Sequence, residues 1–318
     1  MSDILITGAT GLIGSALVKS FAAEGHRVLA TVRNVAKAQT LFAAWPNVEI
    51  VAWDVTRPLD LQTSTLNFQQ GFLVHAAAET TTRNFVEKPV ETIASILDGT
   101  RNVLEFARAA QVASMVYLSS MEVYGTPSSE TVTEADIGYL DPVRLRSNYP
   151  EAKRMAENLC VAYANEYGVP VKIARLAQTF GEGVRAEDNR VYAQFARAVL
   201  AGRDIVLKTD GSASRCYCAV SDAVAAIRVL LEKGANATPY TVANEATFCS
   251  VREMAEQLIA AYPDSGSKLV FDLSDEAARA YPPASRLKLD SSRLRALGWE
   301  PRIGLLEMYA RMMSGMCG

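Results

Sequence analysis

The chain has 318 residues, of which 49% are hydrophobic and 21% charged, with a formal net charge of -3. That length allows one large or two modest cores, and the apolar fraction excludes a disordered chain. The charge balance offers no basic stripe to nucleic acid or to an anionic membrane surface, so any anionic ligand must be held by local groups.

In chain order, MSDILITGATG runs directly into an apolar strand at 4–7, with no basic segment and apolar core ahead of it. A cytoplasmic protein without a signal peptide is therefore expected. No uninterrupted apolar run reaches the length of a membrane span. Further strand-like runs fall at 27–32, 48–53, 72–77, 115–120 and 171–176, with helix-period segments at 13–23, 35–44, 86–110 and 151–167. The strands are nearly continuous in hydrophobicity, as a sheet covered on both faces requires. Their alternation with helices predicts an α/β fold built on a Rossmann doubly wound parallel sheet. Residues 1–176 form the expected dinucleotide-binding domain and 177–318 a smaller α/β substrate lobe, with part of 215–245 able to return to the main sheet through YTVAN at 240–244. Ser250-Val-Arg-Glu253 has the form of a capping box. Cys160, Cys216, Cys218, Cys249 and Cys317 are odd in number and mostly far apart, and only His26 and His75 could assist them. Neither a disulfide framework nor a metal site is expected.

Directly after the first strand comes Gly8-Ala-Thr-Gly11-Leu-Ile-Gly14. The first glycines permit a tight turn and a close approach to a pyrophosphate, and the third lets the helix pack on the strand. Leu12 and Ile13 open that helix, whose free N–H groups and dipole favour phosphate. Placed between a strand and an amphipathic helix, the triplet reads as a dinucleotide site. The second strand ends Thr31-Val32-Arg33-Asn34, without the acid that bonds the adenosine ribose in NAD-type sites. Arg33 can pair with a 2'-phosphate, which tilts the expected cofactor from NAD toward NADP. Asp54 can accept a hydrogen bond from the adenine amino group, with Val55 beside it, and Ala76 and Ala77 end the fourth strand.

Tyr149-Pro-Glu-Ala-Lys153 supplies the chemistry. Proline is tolerated in a helix's first turn, so Tyr149 lies at the helix start and Lys153 falls on roughly the same face. A nearby ammonium and a bound nicotinamide cation would lower the phenol's pKa, so that Tyr149 exchanges a proton with a carbinol while Ser120 holds the same oxygen.

These residues resemble the extended short-chain dehydrogenase/reductases, the NAD-dependent epimerase/dehydratase family, in their nucleotide-sugar-modifying branch. They are similar to UDP-glucuronate decarboxylases and to sugar-nucleotide 4,6-dehydratases. The likeness runs from Gly8 to Leu297-Gly-Trp-Glu-Pro301. It implies Gly8, Gly11 and Gly14 as the pyrophosphate loop, Asp54 and Val55 as the adenine contact, and Ser120, Tyr149 and Lys153 as the catalytic trio. A nucleotide-diphosphate sugar is the implied substrate, with Thr80, Gln178, Arg190, Arg215 and Arg286 on its side of the site. A homodimer is implied through a four-helix bundle, here from the helices around 86–110 and 150–167.

In the family, the position of Glu122 faces the sugar and serves as a base or orienting group in certain dehydratases and decarboxylases. Oxidation at C4 acidifies the C5 hydrogen, so Glu122 favours chemistry beyond plain C4 inversion. Met121 stands where many 4,6-dehydratases have an aspartate, and a thioether cannot donate a proton to a leaving hydroxyl. Gln178 replaces an asparagine that often contacts the nucleotide. The leading expectation is an epimerase/dehydratase-type enzyme. Its alternatives are an NADPH-dependent reductase of a keto-sugar or other carbonyl compound, which needs no Glu122, and a non-catalytic dinucleotide sensor, which needs no Ser120, Tyr149 and Lys153 together.

Overall fold

The computed structural model describes residues 2–59, 68–273 and 285–316; Cys317 lies outside them. In chain order the strands are β1 (Asp3–Thr7), β2 (Arg27–Val32), β3 (Val48–Ala52), β4 (Phe72–His75), β5 (Ser114–Ser120), β6 (Thr131–Val132) and β7 (Val171–Leu176). There follow β8 (Gln178–Phe180), β9 (Ile205–Leu207), β10 (Ser214–Ala219), β11 (Pro239–Val242), β12 (Asn244–Ser250), β13 (Leu269–Phe271) and β14 (Arg286–Leu289). The helices that matter below are α1 (Leu12–Ala23), α2 (Val35–Phe42), α3 (Asn84–Glu87), α4 (Pro89–Ala109), α5 (Asn148–Tyr167), α6 (Val191–Leu200), α7 (Val220–Lys233) and α8 (Val251–Ala261).

Seven strands form one parallel sheet in the order β11-β7-β5-β4-β1-β2-β3. Strand β5 shows why it is covered on both faces. Met115 and Tyr117 enter the core shared with α4 and α5, while Val116 and Leu118 enter the opposite core, shared with α1, α2 and α7. Strand order reverses between β1 and β4, so the crevice at their carboxyl ends is where a doubly wound sheet receives a ligand. A smaller mixed sheet, β12-β10-β14-β6 with β8 beside β10, and the pair β13-β9 carry most of the second half. Strand β11 pairs with β7 at the edge of the main sheet.

The helical pattern over 86–110 is interrupted in the structure. Pro89 has no N–H and disfavours helical geometry in the residue before it, so Lys88 adopts φ -137 and ψ 56 and separates α3 from α4. The break leaves α3 free to place Phe85 against α5. The capping box at the start of α8 forms as expected, with Ser250 N–H donating to Glu253 Oε2 at 2.7 Å and Glu253 N–H to Ser250 Oγ at 3.1 Å. Cys160, Cys216, Cys218 and Cys249 are buried free thiols whose pKa values burial pushes up, which makes them inert. Among the described residues no three His, Cys, Asp or Glu side chains group as metal ligands, and no helix is long and apolar enough to cross a membrane.

Candidate active site

The loop from β1 to α1 is shaped for close approach of backbone. Gly8 has φ +66, and a Cβ there would lie 2.7 Å from Ala77 N and 2.8 Å from Ala76 O. A Cβ on Gly14 would stand 2.2 Å from Gly8 O, so the helix lies directly on the turn. Gly11 is the N-cap of α1 and no side chain caps that helix, which leaves the first-turn N–H groups of Leu12 and Ile13 for an anion. These features fit the pyrophosphate of a nicotinamide dinucleotide. Farther along the crevice, Asp54 receives the Thr56 N–H at 3.1 Å and hydroxyl at 2.8 Å, both on Oδ1. Those bonds and the charges of Arg33 and Arg57 outweigh its desolvation, and its pKa is lowered. Arg33 is exposed. Val55 is buried under Gly99 of α4, and its carbonyl oxygen accepts from Asn102 Nδ2 at 2.8 Å. Gly14→Ala should weaken dinucleotide binding at least tenfold, because its new methyl must push α1 off the turn. A titration with NAD checks this; affinity within twofold of the parent would contradict it.

At the other end, β5 delivers Ser120 and a 3-10 turn, Met121–Tyr124, follows it. Ser120 Oγ accepts the Glu122 N–H at 3.2 Å and so fixes where Glu122 leaves the strand. Tyr149 sits in the first turn of α5, 6% exposed, with its ring stacked on Phe85 at 4.3 Å and 20°. Burial raises its pKa well above the usual phenol value and the charge of Glu122 adds to that, while the Ser120 hydroxyl, Arg146 and Arg190 oppose it. The sequence expectation is a lowering by a nearby ammonium together with a bound nicotinamide cation; Lys153 Nζ is directed to Leu118 O at 2.7 Å and lies 4.7 Å over the Tyr117 ring. Burial lowers its pKa to about 8, against an opposing pull from Glu157.

Sequence reasoning missed the groups beneath this pair. Glu157, one helical turn after Lys153, accepts from Ser119 Oγ at 2.6 Å and from Arg175 Nη2 at 2.7 Å. Arg175 Nη1 also donates to Glu134 O at 2.9 Å. Ser119 and Arg175 are register partners on β5 and β7, so one buried carboxylate ties both strand ends to α5 below Lys153. His75 is a further omission. Thr7 Oγ1 accepts the Ala77 N–H at 3.2 Å and is hydrogen-bonded to His75 Nδ1 at 2.7 Å, while His75 Nε2 is hydrogen-bonded to Thr100 Oγ1 at 3.3 Å. Burial, with the charge of Lys153, lowers the His75 pKa to about 3, so the ring is neutral and structural.

The candidates on the substrate side separate into four places. Arg190 starts α6, is held by Asp188 through both Nε and Nη2, and its charge reaches Tyr149. Gln178 Oε1 is buried without a hydrogen-bond donor among the described residues. Thr80 is exposed on the loop after β4. Arg215 and Arg286 lie at the starts of β10 and β14 but one residue out of register, Arg286 opposite Ser214 and Arg215 opposite Leu287. Arg286 is exposed, 3.8 Å from Glu130 and 5.0 Å over the Phe248 ring. Neither has a contact with the residues around Tyr149 among the described ones.

Comparison with known proteins agrees with this architecture. The model of the NAD dependent epimerase/dehydratase family matches residues 4–244. UDP-glucuronic acid decarboxylase 6 of Arabidopsis thaliana is 31% identical over 310 residues, covering 96% of this chain and 85% of its own. An epimerase structure from Methanothermobacter thermautotrophicus superposes with a TM-score of 0.83 at 23% identity, covering 99% of this chain and 91% of its own. The UDP-glucuronic acid 4-epimerase of Bacillus cereus, in complex with NAD, gives 0.79 at 18% identity and 98% of both chains. The two structural likenesses bear on the fold; the family match and the decarboxylase relative establish kinship, so this chain is an enzyme that belongs to the NAD dependent epimerase/dehydratase family, the extended short-chain dehydrogenase/reductases that modify nucleotide sugars.

Proposed function

We propose that the protein oxidises a nucleotide-sugar hydroxyl at C4 and then acts on C5 of the resulting ketone through Glu122. The observation that carries this reading is the meeting of Ser120, Glu122, Arg146 and Arg190 around the buried Tyr149 hydroxyl. As the phenolate that the Lys153 ammonium and a bound nicotinamide cation would stabilise, Tyr149 takes the proton of the C4 hydroxyl as that carbon is oxidised, and Ser120 orients the same oxygen. Lys153 holds positive charge one turn below. A bound nicotinamide dinucleotide, on the glycine turn and Asp54, supplies a reversible hydride acceptor. In a hexose the C4 ketone acidifies the C5 hydrogen, which Glu122 would remove ahead of loss of water; in a uronic acid the same ketone takes up the electron pair of the C5–carboxylate bond as carbon dioxide leaves, C5–H stays, Glu122 orients the sugar, and the enolate is then protonated at C5. Met121 has no proton to give a leaving C6 hydroxyl, which favours the chemistry named for the uronic-acid relatives over 4,6-dehydration. The test is to incubate the protein with NAD or NADP against a panel of nucleotide sugars and weigh the products. Loss of carbon dioxide or water supports the reading, and a gain of two hydrogens would replace it with the reductase alternative.

Arg33 favours NADP in this reading, since its exposed guanidinium stands where an acid would repel a 2'-phosphate. Arg33→Ala is expected to weaken NADP roughly tenfold or more relative to NAD; an unchanged affinity ratio in a binding titration would remove the preference. The partner is a second copy of the chain. Val90 at 73%, Ile93 at 38% and Met155 at 52% exposure lie on the outer faces of the paired helices α4 and α5. A two-fold four-helix bundle would cover them. Met155→Glu should give a monomer by light scattering, and a parent that is monomeric at the same concentration would dismiss the dimer.

A further inference from the structure

Glu122 acts on the sugar in the reading above, yet both of its oxygens are occupied. Arg146 Nη2 lies 3.1 Å from Oε1 and 3.0 Å from Oε2. A single guanidinium nitrogen thus bridges the two oxygens and holds the carboxylate on Arg146 rather than on a substrate atom. The pair is not sealed in the core, however, because each side chain is 34% exposed at the cleft. Arg146 also has a second hold that does not depend on Glu122: its guanidinium lies 4.6 Å over the Phe85 ring, the ring that stacks on Tyr149. The arginine would therefore stay beside the reacting centre if Glu122 moved away. Arg190, the other guanidinium whose charge reaches Tyr149, is already committed to Asp188. Of the two, Arg146 is the cation whose present partner is the acid needed for chemistry.

We propose that Arg146 selects the substrate by exchange of counter-ion: a nucleotide sugar bearing a carboxylate on C5 takes the guanidinium over from Glu122 and frees that acid, whereas a neutral hexose leaves the pair closed. This rests on the reading that the site takes nucleotide sugars. The chemistry is that of arginine forks, which bind a planar carboxylate through two parallel bonds and lose that match in lysine. A charge-assisted contact of this kind corresponds to about tenfold to a hundredfold in affinity.

The experiment measures dissociation constants of the NAD-loaded protein for UDP, UDP-glucose and UDP-glucuronate. The parent is expected to prefer the glucuronate by about tenfold or more. Arg146→Met should abolish that preference and leave UDP binding unchanged, and Arg146→Lys should keep only part of it. Glu122→Gln, which removes the competing acid, should strengthen glucuronate binding severalfold without affecting UDP-glucose. Equal affinity of the parent for both sugars, or an unchanged preference in Arg146→Met, would overturn the exchange while UDP binding upholds the nucleotide-sugar site. Failure to bind UDP or either sugar would overturn both, so the two failures are told apart by UDP alone.

Discussion

Tyr149→Phe should lose between about a hundredfold and ten-thousandfold in turnover, the range over which a positioned acid-base group acts. The substitution suits the question because phenylalanine preserves the stack on Phe85 and the packing of a side chain only 6% exposed. Folding should be unaffected, so the loss would belong to the hydroxyl. In the structure that hydroxyl holds its proton tightly, through burial first and the charge of Glu122 second. Glu122→Gln removes the second influence, so the pH limb of the hydride-transfer step, followed by cofactor absorbance, should move to lower pH. Turnover of Tyr149→Phe within tenfold of the parent would remove Tyr149 from the proton path, and a limb that stays in place in Glu122→Gln would separate the two groups.

The phosphate end of the site could be read from the sequence because its requirements are local. Glycines at 8, 11 and 14 are read as a turn, a close approach and a helix contact within seven residues, and the Cβ distances show the turn at Gly8 and the helix contact at Gly14. The doubly wound parallel sheet was accessible for a similar reason: near-continuous apolar runs separated by helices have few right-handed arrangements. The electrostatics around Tyr149 were not accessible, since they come from elements that sequence distance conceals. Arg146 is three residues from Tyr149, but its hold on Glu122 spans 24 residues and depends on Phe85 from the short helix that Pro89 cuts off. Arg175 did leave a mark. It is a charge inside the apolar run VKIARL, and an arginine in a strand covered on both faces needs a buried partner. Glu157, spaced four residues from Lys153, was the acid available to supply it.

That buried pair carries the second large expectation. Removing one member leaves the other charged and desolvated, so Glu157→Gln and Arg175→Met should each lower unfolding stability by about 3–5 kcal/mol in denaturant titrations. The double variant Glu157→Met with Arg175→Met should recover most of that loss, because two apolar side chains leave no orphaned charge. Stability alone would not distinguish a clamp from an electrostatic support for Lys153, but pH does. Lys153 faces Glu157 and Cys160 on its own helix, His75 on β4 and Tyr117 on β5, and of these Glu157 is the group that most raises its pKa against burial. With the pKa near about 8, half the ammonium is gone at that pH, and activity that needs the charge falls above it. Glu157→Gln takes away the raising charge and should move this alkaline limb down. Arg175→Met exposes Lys153 to an uncompensated Glu157 and should move it up. Limbs displaced in the same direction, or not displaced at all, would reduce the pair to a structural clamp. Opposite displacements in two variants of similar instability would show that the carboxylate joining β5, β7 and α5 also sets the charge of Lys153.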